Sequence, residues 1–255
     1  PWNGALAVAG SCVAPALAAG NAVVFKPSEL APLAALRFGE LCLAAGLPPG
    51  LVNVVPAGAE GGDALARHPG IRKIHFTGGG VTARKVITAA TTNLTPVVAE
   101  LGGKSANIVF GDADLQTAAA LSAHQGPLMQ SGQSCACASR ILAHDSVYDE
   151  FVDIFLARIA AAKIGDPLDP AVSFGPVISQ AALDRILAVI ADADNRGSGE
   201  LLTGGGRLGG ELAQGYYLEP TVFGGVDNSS DLAQTETFGP VVSVIRFTDD
   251  DQAVS

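Results

Sequence analysis

Three times before residue 91 the chain passes from a short apolar segment, through a turn marked by proline or glycine, into a run with helical patterning. This recurrence constrains the fold more than any other feature. Residues 21–26, 51–55 and 71–76 read as buried strands, because they are short apolar runs with β-branched residues bounded by turn formers. Helices are expected from Ser28 to about residue 45, from 63 to 67 and from 81 to 90. Alternating strand and crossover helix implies parallel pairing. The expected class is therefore α/β with a doubly wound layer, and ligands belong at the carboxyl ends of its strands. Gly58, Gly61 and Gly62 open one of these helices, and Gly78, Gly79 and Gly80 open another. A helix N-terminus behind a glycine turn offers free N–H groups and the positive dipole end to an anion such as a pyrophosphate. Neither cluster spells the full dinucleotide fingerprint, and ordinary tight turns account for them equally well.

The alternation continues with strands at 95–100, 106–110, 140–143, 218–223 and 241–247. Helices are expected from the Asp112–Asp114 region towards Gln130, from a Ser146 cap to about Lys163, and over 180–195. The apolar stretch 5–19 reads as a buried helix, since it lacks a basic flank and contains Pro15. With 48% hydrophobic residues in 255, the chain can bury a sizeable core. Twenty-five acidic against 15 basic residues, net −10, leave no basic footprint for nucleic acid or an anionic membrane, which points to small-molecule chemistry. Cysteines 12, 42, 135 and 137 form no disulfide framework, so reduced, cytoplasmic thiols are expected. No Cys or His spacing resembles a zinc site.

Within this frame the segment Gly132-Gln133-Ser134-Cys135-Ala136-Cys137 sets Cys135 among small residues, where little bulk blocks approach to sulfur. An isolated cysteine is more often a small buried hydrophobe than a nucleophile. Cys137 lies two positions on, a spacing that shares no helix face, so one nucleophile is expected rather than a pair. Asn3 is placed to cap the first helix or to aim its amide outward. Lys26 and Glu29 sit just beyond a strand end, where they either hold a ribose or serve as solvated charges. Glu100 closes a strand, as a general base or as a paired acid at a domain crossover.

Taken together, these residues resemble the aldehyde dehydrogenase superfamily along nearly the whole chain. Pro1-Trp2-Asn3 resembles the family's Pro-Trp-Asn, and Lys26-Pro27-Ser28-Glu29 its adenosine-binding Lys-Pro-Ser-Glu. Phe76-Thr77-Gly78 resembles the cofactor turn, Glu100-Leu101-Gly102-Gly103-Lys104 the Glu-Leu-Gly-Gly-Lys signature, Gly132-Gln133-Ser134-Cys135 the nucleophile signature, and Glu236-Thr237-Phe238-Gly239-Pro240 the later cofactor motif. The motifs keep the family's order. Gly79 departs from the Ser many members carry, and Met129-Gln130 from their Phe-Asn.

The resemblance implies an NAD-dependent enzyme, with NADP possible, that oxidises an aldehyde to an acid. Cys135 would be the nucleophile, Glu100 the base that activates water, and Asn3 an oxyanion donor. The cofactor would be held by Lys26, Ser28, Glu29, Thr77, Gly78, Gly79, Leu101, Gly102, Glu236 and Phe238. The nearby N-terminus of a helix would favour the Cys135 thiolate. Residues 1–102 would form part of a Rossmann-like cofactor domain and 103–255 part of a catalytic domain, both shorter than in complete family members. The parent enzyme would be a homo-oligomer. Two alternatives stand beside this: an acylating dehydrogenase that passes the thioester to coenzyme A, against which Glu100 argues, and a nucleotide-binding remnant without turnover.

Overall fold

Helix-linked parallel strands recur throughout the computed structural model, in which residues 1–254 are described. The chain divides into two compact units, Pro1–Gly102 and Gly103–Ser255.

The first unit opens with α1 (Ala5–Ala18) and then builds two strand–helix–strand crossings. Strand β1 (Val23–Phe25) pairs in parallel with β2 (Val52–Val54), with α2 (Leu33–Ala44) between them in sequence. After α3 (Ala59–Arg67), β3 (Ile74–Thr77) pairs in parallel with β4 (Val97–Glu100) across α4 (Gly80–Ala90). The expected helix start at Ser28 is not observed. Pro32 lacks an N–H and disfavours helical geometry at the residue before it, and it takes the N-cap of α2, which begins at Leu33. Ser28 instead forms a local turn in which its Oγ accepts from the Leu30 N–H at 3.3 Å. Nor does Asn3 occupy the cap of α1. Gly4 does, without a side-chain bond.

The second unit is a five-stranded sheet in the order β5-β6-β9-β8-β7. Its strands are β5 (Ala106–Val109), β6 (Arg140–His144), β7 (Glu200–Thr203), β8 (Thr221–Gly224) and β9 (Val241–Phe247), all parallel to their neighbours except β7, which runs antiparallel to β8. Both faces are covered, and the side-chain period of two sorts the strands between them. Ile141, Ala143, Val222, Val242 and Val244 face α5 (Leu115–Ala123) and α6 (Tyr148–Ala160). Leu142, Phe223, Val241, Ile245 and Phe247 share the opposite cluster with Leu183, Ile186 and Ile190 of α7 (Gln180–Asn195) and Leu232 of α8 (Asp231–Gln234). A final helix, α9 (Asp250–Val254), adds Ala253 to that cluster.

Three further expectations need correction. The helix after Asp114 is α-helical only to Ala123: it winds on towards Gln130 as a wider π turn over His124–Leu128, interrupted at Gly126, whose backbone leaves helical geometry beside Pro127, and then as a 3-10 turn over Met129–Gly132. Ser146 does not cap α6: Val147 holds that position, and the Ser146 hydroxyl bonds His144 Nδ1 at 2.8 Å. The edge strand β7 was not anticipated, since Glu200-Leu201-Leu202-Thr203 is too short to show a periodicity. Among the described residues no helix is long and apolar enough to cross a membrane, and no group of three or more His, Cys, Asp or Glu side chains is arranged to hold a metal.

Candidate active site

In the first unit the parallel register sets Thr77 opposite Glu100, at the carboxyl ends of β3 and β4, and the Gly78 N–H donates to the Glu100 carbonyl at 3.1 Å. Glu100 is exposed there, and Leu101 and Gly102 follow it in the open. Thr77 Oγ1 is buried with no hydrogen-bond partner among the described residues. Gly79 takes the N-cap of α4 and has open space where a Cβ would stand. The α4 N-terminus is thus an uncrowded cradle of backbone donors beside an unsatisfied hydroxyl, a combination that suits a phosphate-bearing group.

Lys26, just past β1, donates to the Pro27 carbonyl at 2.8 Å and to the Ala57 carbonyl at 2.6 Å, tying together the loops that leave β1 and β2. Glu29 is exposed in the next turn. Asn3 is half-buried ahead of α1.

Cys135 belongs to the second unit. It sits in a turn closed by the Cys137 N–H on the Ser134 carbonyl at 3.1 Å, with Ser134 Oγ accepting from the Ala136 N–H at 3.2 Å. The turn leads straight into β6, so the expected helix N-terminus is not supplied by its own segment. The turn also separates the two thiols. Cys135 is exposed, whereas Cys137 is buried, with its Sγ 3.7 Å from the Met129 carbonyl. Burial pushes the Cys137 thiol up to about 11.

The approach to this turn is unusual backbone. Gln130, Ser131 and Gly132 have φ of 51°, 55° and 69°, the left-handed region that costs non-glycine residues free energy. Side chains hold it in place. Ser131 Oγ donates to the Gly175 carbonyl at 2.8 Å, Gln133 Nε2 to the Gln130 carbonyl at 3.0 Å, and the Ile178 N–H to Gln133 Oε1 at 2.8 Å. Ser105 Oγ reaches the Cys135 carbonyl at 3.4 Å.

Gly132 links this turn to the segment carrying Glu236. A Cβ on Gly132 would lie 2.1 Å from the Gly239 carbonyl oxygen and 2.6 Å from Pro240 N. The Glu236–Pro240 segment is itself clamped by α7. Arg185 donates to the carbonyls of Thr237 and Phe238, and Ile186 fills the space beside Gly239. Phe238 is held at φ 48°. Glu236 is half-buried, and its Oε1 accepts from the Gly103 N–H at 3.3 Å.

Within the first unit the structure therefore brings together Thr77, Gly78 and Glu100, and within the second Gly103, Glu236 and the Cys135 turn through Gly132. Asn3, Lys26, Ser28 and Glu29 lie elsewhere in the first unit. Sequence reasoning missed Arg185, which carries no local signal in an amphipathic helix, and the burial of Lys104, whose Nζ has no acceptor among the described residues.

The sequence profile of the aldehyde dehydrogenase family matches residues 1–255. Among solved structures, a gamma-glutamyl-gamma-aminobutyraldehyde dehydrogenase from Burkholderia cenocepacia J2315 is similar at 43% identity and TM-score 0.93, over 100% of this chain and 51% of that one. PnpE in complex with nicotinamide adenine dinucleotide is similar at 40% identity and TM-score 0.95, over 100% and 52%. A betaine aldehyde dehydrogenase from Staphylococcus aureus in complex with NAD+ is similar at 37% identity and TM-score 0.95, over 100% and 50%. The chain spans about half the length of these relatives.

Proposed function

The chain belongs to the aldehyde dehydrogenase family, and from that premise we propose that the protein oxidises an aldehyde to a carboxylic acid with NAD, or NADP, as acceptor. The observation that carries this reading is the contrast between an exposed Cys135 in a pinned turn and a buried, basic Cys137 beside it.

Cys135, as thiolate, adds to the carbonyl carbon. The carbonyl oxygen becomes an oxyanion, which accepts from the Asn3 amide and the Cys135 N–H, each donor contributing about 3 kcal/mol when well placed. The bound dinucleotide supplies the acceptor for the hydride that leaves the hemithioacetal. A thioester on Cys135 remains. Glu100 takes a proton from water as the water attacks, and collapse of the tetrahedral adduct releases the acid and restores the thiolate.

The residues around the cofactor fit that role. The unsatisfied Thr77 hydroxyl and the open α4 N-terminus at Gly78 and Gly79 suit the pyrophosphate. Lys26, Ser28 and Glu29 hold the adenosine ribose, where an acid favours NAD over the 2′-phosphate of NADP. Glu236 and Phe238, with Leu101 and Gly102, hold the nicotinamide end. The first unit thus acts as cofactor domain and the second as catalytic domain. We read the working protein as a homo-oligomer, and a nucleophilic thiol with four free cysteines suits the reducing cytoplasm.

NADH formation with an aldehyde is the direct test. Cys135→Ala is expected to lose activity by about a thousandfold or more. Glu100→Gln should still give one rapid burst of NADH and then stall at the thioester. Unchanged turnover by Cys135→Ala sinks the assignment.

A further inference from the structure

Of the four thiols, Cys12 alone has a nitrogen base within hydrogen-bond reach among the described residues. Its Sγ, carried on α1, lies 3.1 Å from Nδ1 and 3.6 Å from Nε2 of His75, on β3. A neutral imidazole always leaves one of its two nitrogens unprotonated, so the thiol has an acceptor in either tautomer. The pair can therefore hold one proton in two ways, as thiol with neutral ring or as thiolate with imidazolium. No other side-chain hydrogen bond draws the imidazole away from sulfur among the described residues. Solvent reaches the pair, since His75 is exposed, Cys12 is half-buried and Ser11 beside it is exposed. A base in contact and an open approach are what separate a reactive cysteine from an inert one. Both residues belong to the first unit, and the aldehyde chemistry proposed above uses neither.

We propose that Cys12 and His75 form a second reactive thiol site, which takes low-molecular-weight disulfides by thiol–disulfide exchange. His75 accepts the Cys12 proton, and the thiolate attacks one sulfur of the disulfide. A bond forms between Cys12 Sγ and that sulfur as the S–S bond of the reagent breaks. The departing thiolate takes the proton back from the imidazolium and leaves as a thiol. Cys12 is thereby oxidised to a mixed disulfide and the released half of the reagent is reduced, so the electrons balance without a further oxidant. Cys42 supplies an internal reference. It too is half-buried in the first unit, on α2, but its thiol has no hydrogen-bond partner among the described residues.

The test is the rate at which oxidised glutathione modifies each thiol at pH 7, resolved by peptide mapping in the wild type, Cys12→Ser and His75→Gln. Cys12 is expected to form its mixed disulfide about tenfold faster than Cys42. His75→Gln has an amide that can accept the same hydrogen bond but cannot take the proton. It should bring Cys12 down to the Cys42 rate, while Cys42 reacts as before in both variants. Equal rates for Cys12 and Cys42 in the wild type, or an undiminished Cys12 rate in His75→Gln, overturns the proposal. If His75→Gln does not fold, carbethoxylation of His75 by diethyl pyrocarbonate in the folded wild type removes the base instead. Cys12 must then slow to the Cys42 rate, and an unchanged Cys12 rate overturns the role of His75. None of these readouts requires aldehyde turnover, so failure of the dehydrogenase reading leaves the test intact.

Discussion

Cys135 and Cys137 are separated by a single alanine, yet their environments differ sharply, and this difference is measurable without substrate. A thiol pushed up to about 11 by burial is ionised to only about one part in a thousand at pH 8. Iodoacetamide at that pH should label Cys135 first and leave Cys137 almost untouched until the chain unfolds, as peptide mapping would reveal. Comparable labelling of both thiols would contradict the described turn. Lys104 makes the complementary point about energy. Its amine is lowered from 10.5 to about 8 in the folded state, so its protonated form costs stability at neutral pH. Lys104→Met should raise the unfolding free energy at pH 7 by about 2 kcal/mol, at about 1.4 kcal/mol for each tenfold loss of proton affinity and discounted for the partly exposed stem. The folded chain gives up this proton near pH 8 and the unfolded chain near 10.5, so the wild type gains stability as pH rises across that window. The advantage of the variant is full below about 8 and absent above about 10.5. Urea titrations at pH 7 and pH 10 would check both sign and window.

The elements that hold the site were legible to different degrees. Helix α7 spans Gln180–Asn195 as its sequence reads, with Ser179 Oγ accepting from the Ala182 N–H. The 241–247 run is β9, because a strand buried on both faces reads as continuous apolar sequence. The reading departs where one residue overrides its neighbours: Pro32 delays α2, and Gly126-Pro127 interrupts the helical winding before the nucleophile. The Cys135 turn was legible as a motif, but the reason its two thiols differ was not. Helix spacing would separate them, yet the segment is no helix, and burial of Cys137 depends on contacts with residues distant in the sequence. Beside it, the Ala138 N–H donates to the Gln125 carbonyl, 13 residues back in the chain. Arg185, 50 residues beyond Cys135, was invisible for the same reason. The interlock at Gly132 yields a prediction at this scale. Gly132→Ala combines a positive φ with a Cβ against the Gly239 carbonyl, and nothing flexible stands there to move. It should destabilise the second unit by about 3 kcal/mol in denaturant titration and slow Cys135 alkylation or make it heterogeneous. A neutral effect would mean that the two segments are not packed as described.

The two units differ in what they bury. In the second, Phe151, Phe155, Phe174, Phe223 and Phe247 are all fully buried, each contributing about 2–3 kcal/mol through apolar burial. The buried apolar residues of the first include Ala9, Val13, Ala35, Ala66, Ala83, Ala89 and Ala90, while Leu33, Leu41 and Leu43 of α2 remain 78%, 50% and 54% exposed. Alanines remove little surface from water, and two-stranded pairs such as β1–β2 and β3–β4 are marginal without further packing. Local stability should therefore be lower in the first unit, and amide exchange is the observable that resolves it. Amides of β3 are expected to exchange well before those of β9, although both belong to parallel ladders. Lys26, Thr77 and Glu100 all belong to this less stable unit, so ligand binding ought to be felt there most. A ligand that binds only the ordered form stabilises it in proportion to its saturation, by about 2.7 kcal/mol at a hundredfold excess over its dissociation constant. Adding NAD should then slow exchange in β3, β4 and the first turn of α4 and leave the centre of β9 unchanged. Equal protection of the two units before NAD would contradict the difference in local stability, and protection by NAD confined to the second would show that the cofactor is not held by the first unit at all.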